Sequence, residues 1–204
     1  MKEIRAFQFD VQANQNEEHG HFLSGRPIVF NQRTDLGWYD EIISADALTN
    51  TDLRDVRFLV NHNTEMIPLA RSRNNNENST MQMSVGTEGM DIRVDLDTEN
   101  NAESKSLYSA VGRGDITGMS FMFGVDEDKW EGVDTDHPTR TITSISKVFE
   151  VSAVTFPAYE QTSINARGLS DALENAKTSL ENERARLHEI EKRKQRIRIL
   201  TEVI

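Results

Sequence analysis

The sequence predicts an α+β chain: a mostly antiparallel, barrel-like β core with flanking helices, followed by a long C-terminal amphipathic helix. Three observations predict it. Short runs of alternating apolar and polar residues, separated by Gly, Pro, Asn and Asp, recur from residue 3 to residue 155. Within that body, residues 100–113 have helical composition, with Ala102, Leu107, Ala110 and Val111 near one face. From Gly168 the character changes, as Leu169, Leu173, Ala176, Leu180, Leu187, Ile190, Ile197, Leu200 and Ile204 recur at three- and four-residue steps in charge-rich sequence. The division expected is a body over residues 1–167 and a coiled-coil-like helical extension over 168–204.

Taken in order, residues 3–11 alternate as a strand, with Ile4 and Ala6 opposed to Arg5, Phe7 and Phe9, and 20–30 form a second strand that Ser24-Gly25 interrupts as a bulge or turn. These two are expected to pair antiparallel. Residues 37–43 read as a short strand, after which Ser44 caps a helical turn over 45–48. A polar lead at 52–55 enters the run Arg57-Phe58-Leu59-Val60-Asn61-His62-Asn63. A neighbouring strand over 66–72 is entered through Pro68, which lacks an N–H and suits an edge or a strand start. Residues 73–79 read as a surface turn, and strands at 80–85 and 90–96 flank Thr87-Glu88-Gly89 as a hairpin. The helix at 100–113 ends at Gly112 and Gly114 and delivers the chain to Gly118-Met119-Ser120-Phe121-Met122-Phe123-Gly124. Residues 126–139 read as an acidic loop, and 140–155 resume as a long strand.

At 204 residues the chain has room for one substantial core and an extension. Its net charge of −11 argues against a duplex nucleic-acid binder, which needs Lys and Arg to neutralise phosphates. The absence of cysteine excludes disulfides, thiolate zinc sites and cysteine nucleophiles, and agrees with a reducing compartment. Residues 1–6 lack the apolar centre of a signal peptide, and no run approaches the roughly 18 apolar residues of a membrane span. The expectation is a chain soluble where it is made, with no membrane partner. His19 and His21 beside Glu17 and Glu18 read as an exposed polar loop rather than a metal site. The acidic run at 126–136 lacks the spacing and glycine of a calcium loop.

Chemistry concentrates in three runs. In the first, alternation places Met119, Phe121 and Phe123 on one strand face and Ser120, Met122 and Gly124 on the other, so Ser120 has no solvent-seeking neighbours on its face. In the second, the strand over 57–63 ends in His62 between two asparagines. In the third, Glu150 is the one carboxylate in an apolar, β-branched segment over 148–158. Serine, histidine and carboxylate are the nucleophile, general base and orienting group of an acyl-transfer site. The plainer readings are a hydrogen-bonded histidine at a strand end and a Glu150 paired with an arginine such as Arg71, since a carboxylate so placed needs a partner. The order His62, Ser120, Glu150 matches none of the chymotrypsin, subtilisin or α/β-hydrolase orders, and no Gly-x-Ser-x-Gly elbow surrounds Ser120.

Phe58-Leu59-Val60-Asn61-His62-Asn63 with Leu69-Ala70-Arg71, Gly114-Asp115-Ile116-Thr117 leading into the Ser120 run, and Phe149-Glu150-Val151-Ser152-Ala153-Val154-Thr155-Phe156-Pro157-Ala158 occur here in that order. Together they resemble the prohead maturation protease family of tailed bacteriophages, whose fold is similar to that of the herpesvirus assembly proteases. The resemblance covers most of residues 1–167. It implies a serine endopeptidase with Ser120 as nucleophile, His62 as base and Glu150 where the herpesvirus enzymes carry a second histidine. It also implies an oxyanion donor in the backbone around Ala158, no cofactor, scaffold and major capsid protein as substrates, and action in the bacterial cytoplasm inside the prohead. The chain departs from the family at Met122, where glycine is frequent, and over 44–48, where a Pro-Gly-Ala-Phe stretch is frequent.

Two rivals belong to other classes. One is an inactive head-assembly or scaffolding protein that keeps the fold and works through the C-terminal helix. The other is a generic β-barrel binding module in which the three residues need not converge. The extension itself is expected to be an arm of modest stability, because Glu183 and Lys194 interrupt its seam, and to order on a partner such as scaffold or a second copy.

Overall fold

The computed structural model describes residues 2–7, 11–155 and 166–202. In chain order it forms β1 (Lys2–Phe7), β2 (Gln12–Asn16), β3 (Gly20–Val29), β4 (Thr34–Asp35), β5 (Asp40–Ile43), β6 (Arg57–Val60), β7 (Ala70–Arg71), β8 (Met81–Val85), β9 (Gly89–Asp95), α1 (Ala102–Gly112), β10 (Gly118–Glu131), β11 (Thr139–Val154) and α2 (Ala166–Glu202). The protein is α+β and mostly strand, with a long C-terminal helix.

The strands make two sheets. The larger runs β1-β10-β11-β5-β4, with β6 pairing β11 and β7 pairing β6; the smaller runs β2-β3-β9-β8. At 16 residues β11 is long enough to share one edge between two partners, β5 along Thr139–Ile142 and β6 along Glu150–Ala153. Both of these pairings are parallel, against the antiparallel rule elsewhere. Among the described residues the pairings do not close into a ring. Phe58, Phe121, Phe123 and Val151 of the larger sheet meet Leu23, Ile28, Ile92 and Val94 of the smaller in one continuous buried core. Burying each such side chain is worth about 1.5–3 kcal/mol.

The acidic stretch after Gly124 is strand, not loop: β10 continues to Glu131, and only residues 132–138 turn the chain round into β11. Register shifts between Met122 and Asp128 explain why alternation fails there. Each bulge resets which residues face inward, so that Ile142, Ile145, Val148 and Val151 all reach the core although their spacing is not two. The predicted strand over 66–72 shortens to Ala70–Arg71, and β2, polar but for Ala13, has no alternation to announce it. At the 87–89 turn glycine is obligatory, because a Cβ on Gly89 would run into the Ile28 carbonyl oxygen of the paired strand. Helix α1 starts on Asn101, whose side chain accepts the N–H groups of Glu103 and Ser104 at 2.9 and 3.1 Å, and it buries Leu107 and Val111. Gly114, at φ +77°, then takes the chain out of the helix.

The first half of α2 is docked on the body. Ala176 and Leu180 are buried against Tyr39, Trp130 and Val133. The Trp130 indole N–H donates to Ser179 Oγ at 3.0 Å, Ser179 Oγ donates to Asp128 at 2.9 Å, and Arg184 Nε donates to the Val133 carbonyl at 2.7 Å. Farther on, Leu187, Ile190 and Ile197 are exposed. The expected single seam therefore divides, and the side chains of Leu169, Leu200 and Ile204 lie outside the described residues.

Beneath that docking surface lies a buried ion cluster. Arg140 grips Glu3 with both terminal nitrogens, at 2.8 and 3.0 Å, and bonds Asp128 at 2.7 Å through Nε. Arg5 Nη2 bonds Glu3 and Glu41 at 2.6 Å each, and its Nε makes a second contact with Glu41. Burial alone would push the Glu3 carboxyl up, but Arg5 and Arg140 override it and hold it below the usual glutamate range. Burial would likewise weaken the Arg5 charge, yet Glu41, Tyr39 and Glu3 keep it more firmly protonated than an ordinary arginine. Burial also pushes the Tyr39 phenol up to about 12.

Candidate active site

His62 is positioned by a turn. Asn61 and His62 have φ of +51° and +56°, and the Asn63 N–H donates to the Val60 carbonyl at 3.1 Å. Two positive-φ residues at the centre of such a bond are the pattern of a type I′ turn, and Asn and His enter that region more readily than most residues. The turn is fastened to the end of β11. The Asn61 backbone N–H donates to the Ala153 carbonyl at 2.9 Å, while its side chain donates to Thr155 Oγ1 at 3.1 Å and accepts the Thr155 N–H at 3.0 Å.

Glu150 and Ser152 lie on the face of β11 opposite to core residues Val151 and Ala153. Glu150 is buried at 3% exposure, and its Oε1 makes a direct contact with His62 Nδ1. Its second oxygen accepts a hydrogen bond from Ser152 Oγ at 2.6 Å, and Ser152 Oγ in turn accepts the His62 backbone N–H at 3.1 Å. The other plain reading of Glu150 is not realised, because Arg71 forks onto Asp55 at 2.7 and 3.0 Å instead.

Ser120 sits on β10 as the register partner of Ser152 on one side and Ala6 on the other. Paired residues of neighbouring strands point to the same face, so Ser120 shares the face of Glu150 and Ser152. It is fully buried, and its hydroxyl donates to the Arg5 carbonyl at 2.7 Å. The structure thus brings His62 and Glu150 into contact and sets Ser120 on the adjoining strand with its hydroxyl held by β1. Ala158, expected to supply an oxyanion donor, lies outside the described residues. Ser152 was missed in the sequence, although its place two residues after Glu150 on the same strand face was readable from the strand period alone.

Other titratable groups have partners of their own. His21 Nδ1 bonds Thr98 Oγ1 at 2.8 Å, while His19 approaches Glu18 at 3.6 Å. Asp35, Asp40 and His137 are close enough together to hold a metal ion, but Asp40 is already engaged by Arg33 at 2.7 Å and by His137 at 3.1 Å.

The sequence model of the caudovirus prohead serine protease family matches residues 7–178, most of the chain. The chain belongs to that family. The match contains His62, Ser120 and Glu150, and it reaches into the docked half of α2 beyond Ala176. No curated protein and no solved structure matches the chain. Membership supports a serine protease role in capsid maturation. Among the described residues of this family member, no helix is long and apolar enough to cross a membrane.

Proposed function

We propose that the protein is a serine endopeptidase that processes scaffold and major capsid protein segments inside the prohead, with Ser120 as nucleophile, His62 as base and Glu150 as the group that orients the base. The observation that carries the reading is the Glu150–His62 Nδ1 contact on the face of β11 that Ser120 shares from the adjoining β10. With Nδ1 occupied, His62 has Nε2 left to take a proton. Turning the Ser120 hydroxyl from the Arg5 carbonyl toward that nitrogen allows Oγ to attack a scissile carbonyl carbon while the proton passes to His62. The same ring then protonates the leaving amine; water, deprotonated by His62, attacks the acyl carbon, and the proton passes from His62 to Ser120 Oγ as the acid leaves. Glu150 stabilises the imidazolium formed in each half; such a group is worth up to about 10⁴ in turnover. The two-sheet core is read as a variant of the barrel-like core that the sequence predicts.

In the same reading, residues 1–167 carry the chemistry and 168–204 bind a partner, scaffold or a second copy, through the exposed half of α2. Truncation after residue 185, which spares the docked half, is expected to retain peptidase activity and to reduce co-assembly. One observation favours an inactive assembly protein instead: the Ser120 hydroxyl is buried and bonded to Arg5 rather than His62. A serine-reactive phosphonate separates the two. Labelling of Ser120, together with fragments of the purified chain or its capsid substrate in mass spectra, supports the protease; an unlabelled serine and intact substrate support the assembly role.

A further inference from the structure

Ser152 is fully buried, and its hydroxyl is used in both directions. It donates to Glu150 Oε2 at 2.6 Å and accepts the His62 backbone N–H at 3.1 Å. A hydroxyl combines donor and acceptor in one small group, which neither a carbonyl nor an ammonium does. With Oε2 tied to its own strand, Glu150 has Oε1 left to face the imidazole. The His62 main chain, in the left-handed region, is referenced to β11 through this same oxygen and through the Asn61 clasp. Ser152 is also the residue directly across from Ser120.

We propose that Ser152 is a positioning residue of the acyl-transfer site: its hydroxyl fixes which Glu150 oxygen addresses His62 and holds the His62 main chain in register with Ser120. The inference rests on the proposed mechanism and adds a residue that touches no substrate. A serine that merely fills space would behave differently, because any side chain of the right size would then serve.

The test uses the full chain with Ser152→Ala, Ser152→Val and Ser152→Thr, and Ser152→Ala also in a Glu150→Gln background. Ala and Val are expected to lower kcat by about 10–100-fold with KM nearly unchanged. Thr, which shares the outline of Val and keeps the hydroxyl, restores kcat to within about fivefold of the parent. In the Glu150→Gln background, Ser152→Ala costs less than about threefold, since the carboxylate it orients is gone. A second readout needs no turnover. In the Ser120→Ala chain, the His62 Nδ1 proton signal, held downfield by Glu150, is expected to move upfield or broaden away on adding Ser152→Ala and to persist with Ser152→Thr. The proposal is overturned if Ser152→Ala keeps kcat within twofold, if Thr and Val lose equally, if the loss is undiminished in Glu150→Gln, or if the His62 signal is unmoved. Should Thr and Val both misfold, Ser152→Ala, which adds no atom, decides through kcat and the proton signal. Equal cleavage by the parent and Ser120→Ala would sink the acyl-transfer reading instead, and the proton signal would still decide whether Ser152 positions the His62–Glu150 pair.

Discussion

The larger sheet carries two buried carboxylate clusters of opposite character. Around Arg5 and Arg140, two guanidinium groups meet the carboxylates of Glu3, Glu41 and Asp128. Around His62, one carboxylate meets an imidazole and a hydroxyl. Guanidinium does not give up its proton in the working pH range, whereas imidazole gains and loses one near neutrality. The difference teaches that a buried charge does not mark a reactive site. On the proposed mechanism, what marks it is a partner able to exchange protons, placed beside a serine with no charge of its own.

The comparison breaks most visibly at Ser120. Ser120→Ala should reduce cleavage by about 10⁴-fold or more in a peptide or scaffold assay, while melting by circular dichroism moves little, because only one hydroxyl bond to Arg5 is lost. Glu150→Gln should fall between about 10² and 10⁴, since the proposed nucleophile and base remain. Undiminished turnover in Glu150→Gln would mean that another group orients His62.

Arg140→Met should give the inverse result. It takes from Glu3 one of its two arginine partners and from Asp128 the guanidinium it bonds, which costs about 3–5 kcal/mol, or roughly 6–20 °C in melting temperature for a chain of this size. Well below its midpoint, kcat should stay within a few-fold of the parent. A large kcat loss in folded Arg140→Met would show that the two clusters are coupled.

Ser179→Ala should be milder, at about 1 kcal/mol, since it removes the hydroxyl bridging Trp130 and Asp128. Trp130 emission should report loosening of α2 in thermal scans. The smallest effect is in acid. Glu3 titrates below an unfolded glutamate, so its contribution is present above the unfolded value of about 4.3 and is lost as pH falls through the lower folded value. Melting of Glu3→Gln should therefore depend less steeply on pH between 5 and 3 than that of the parent. Equal slopes would remove Glu3 from the account of acid stability.

Much of this was legible in the sequence. The β8–β9 hairpin, α1, α2 and the three runs bearing His62, Ser120 and Glu150 each have a local pattern with a local cause. The ion cluster was not legible, because Glu3, Arg5, Glu41 and Arg140 look like the polar phase of alternating strands, and only the packing of Tyr39, Trp130 and α2 over them turns that phase inward. The parallel placement of β5 and β6 along β11 was hidden for a related reason: pairing partners far apart in sequence leave no mark on either strand. Likewise the division of α2 into docked and exposed halves depends on where the Trp130 surface ends, which the helical period does not encode.

The positive φ of His62 decides how the contribution of its ring has to be measured. Alanine at that position would remove the imidazole and also put a residue less at home in the left-handed region than histidine on that backbone, so any loss would mix chemistry with strain. Glycine fits the same backbone without cost and leaves a ring-sized vacancy beside Glu150. In such a chain, imidazole dissolved in the buffer becomes a replaceable part, and its concentration dependence would separate the work of the ring from the work of the turn that holds it.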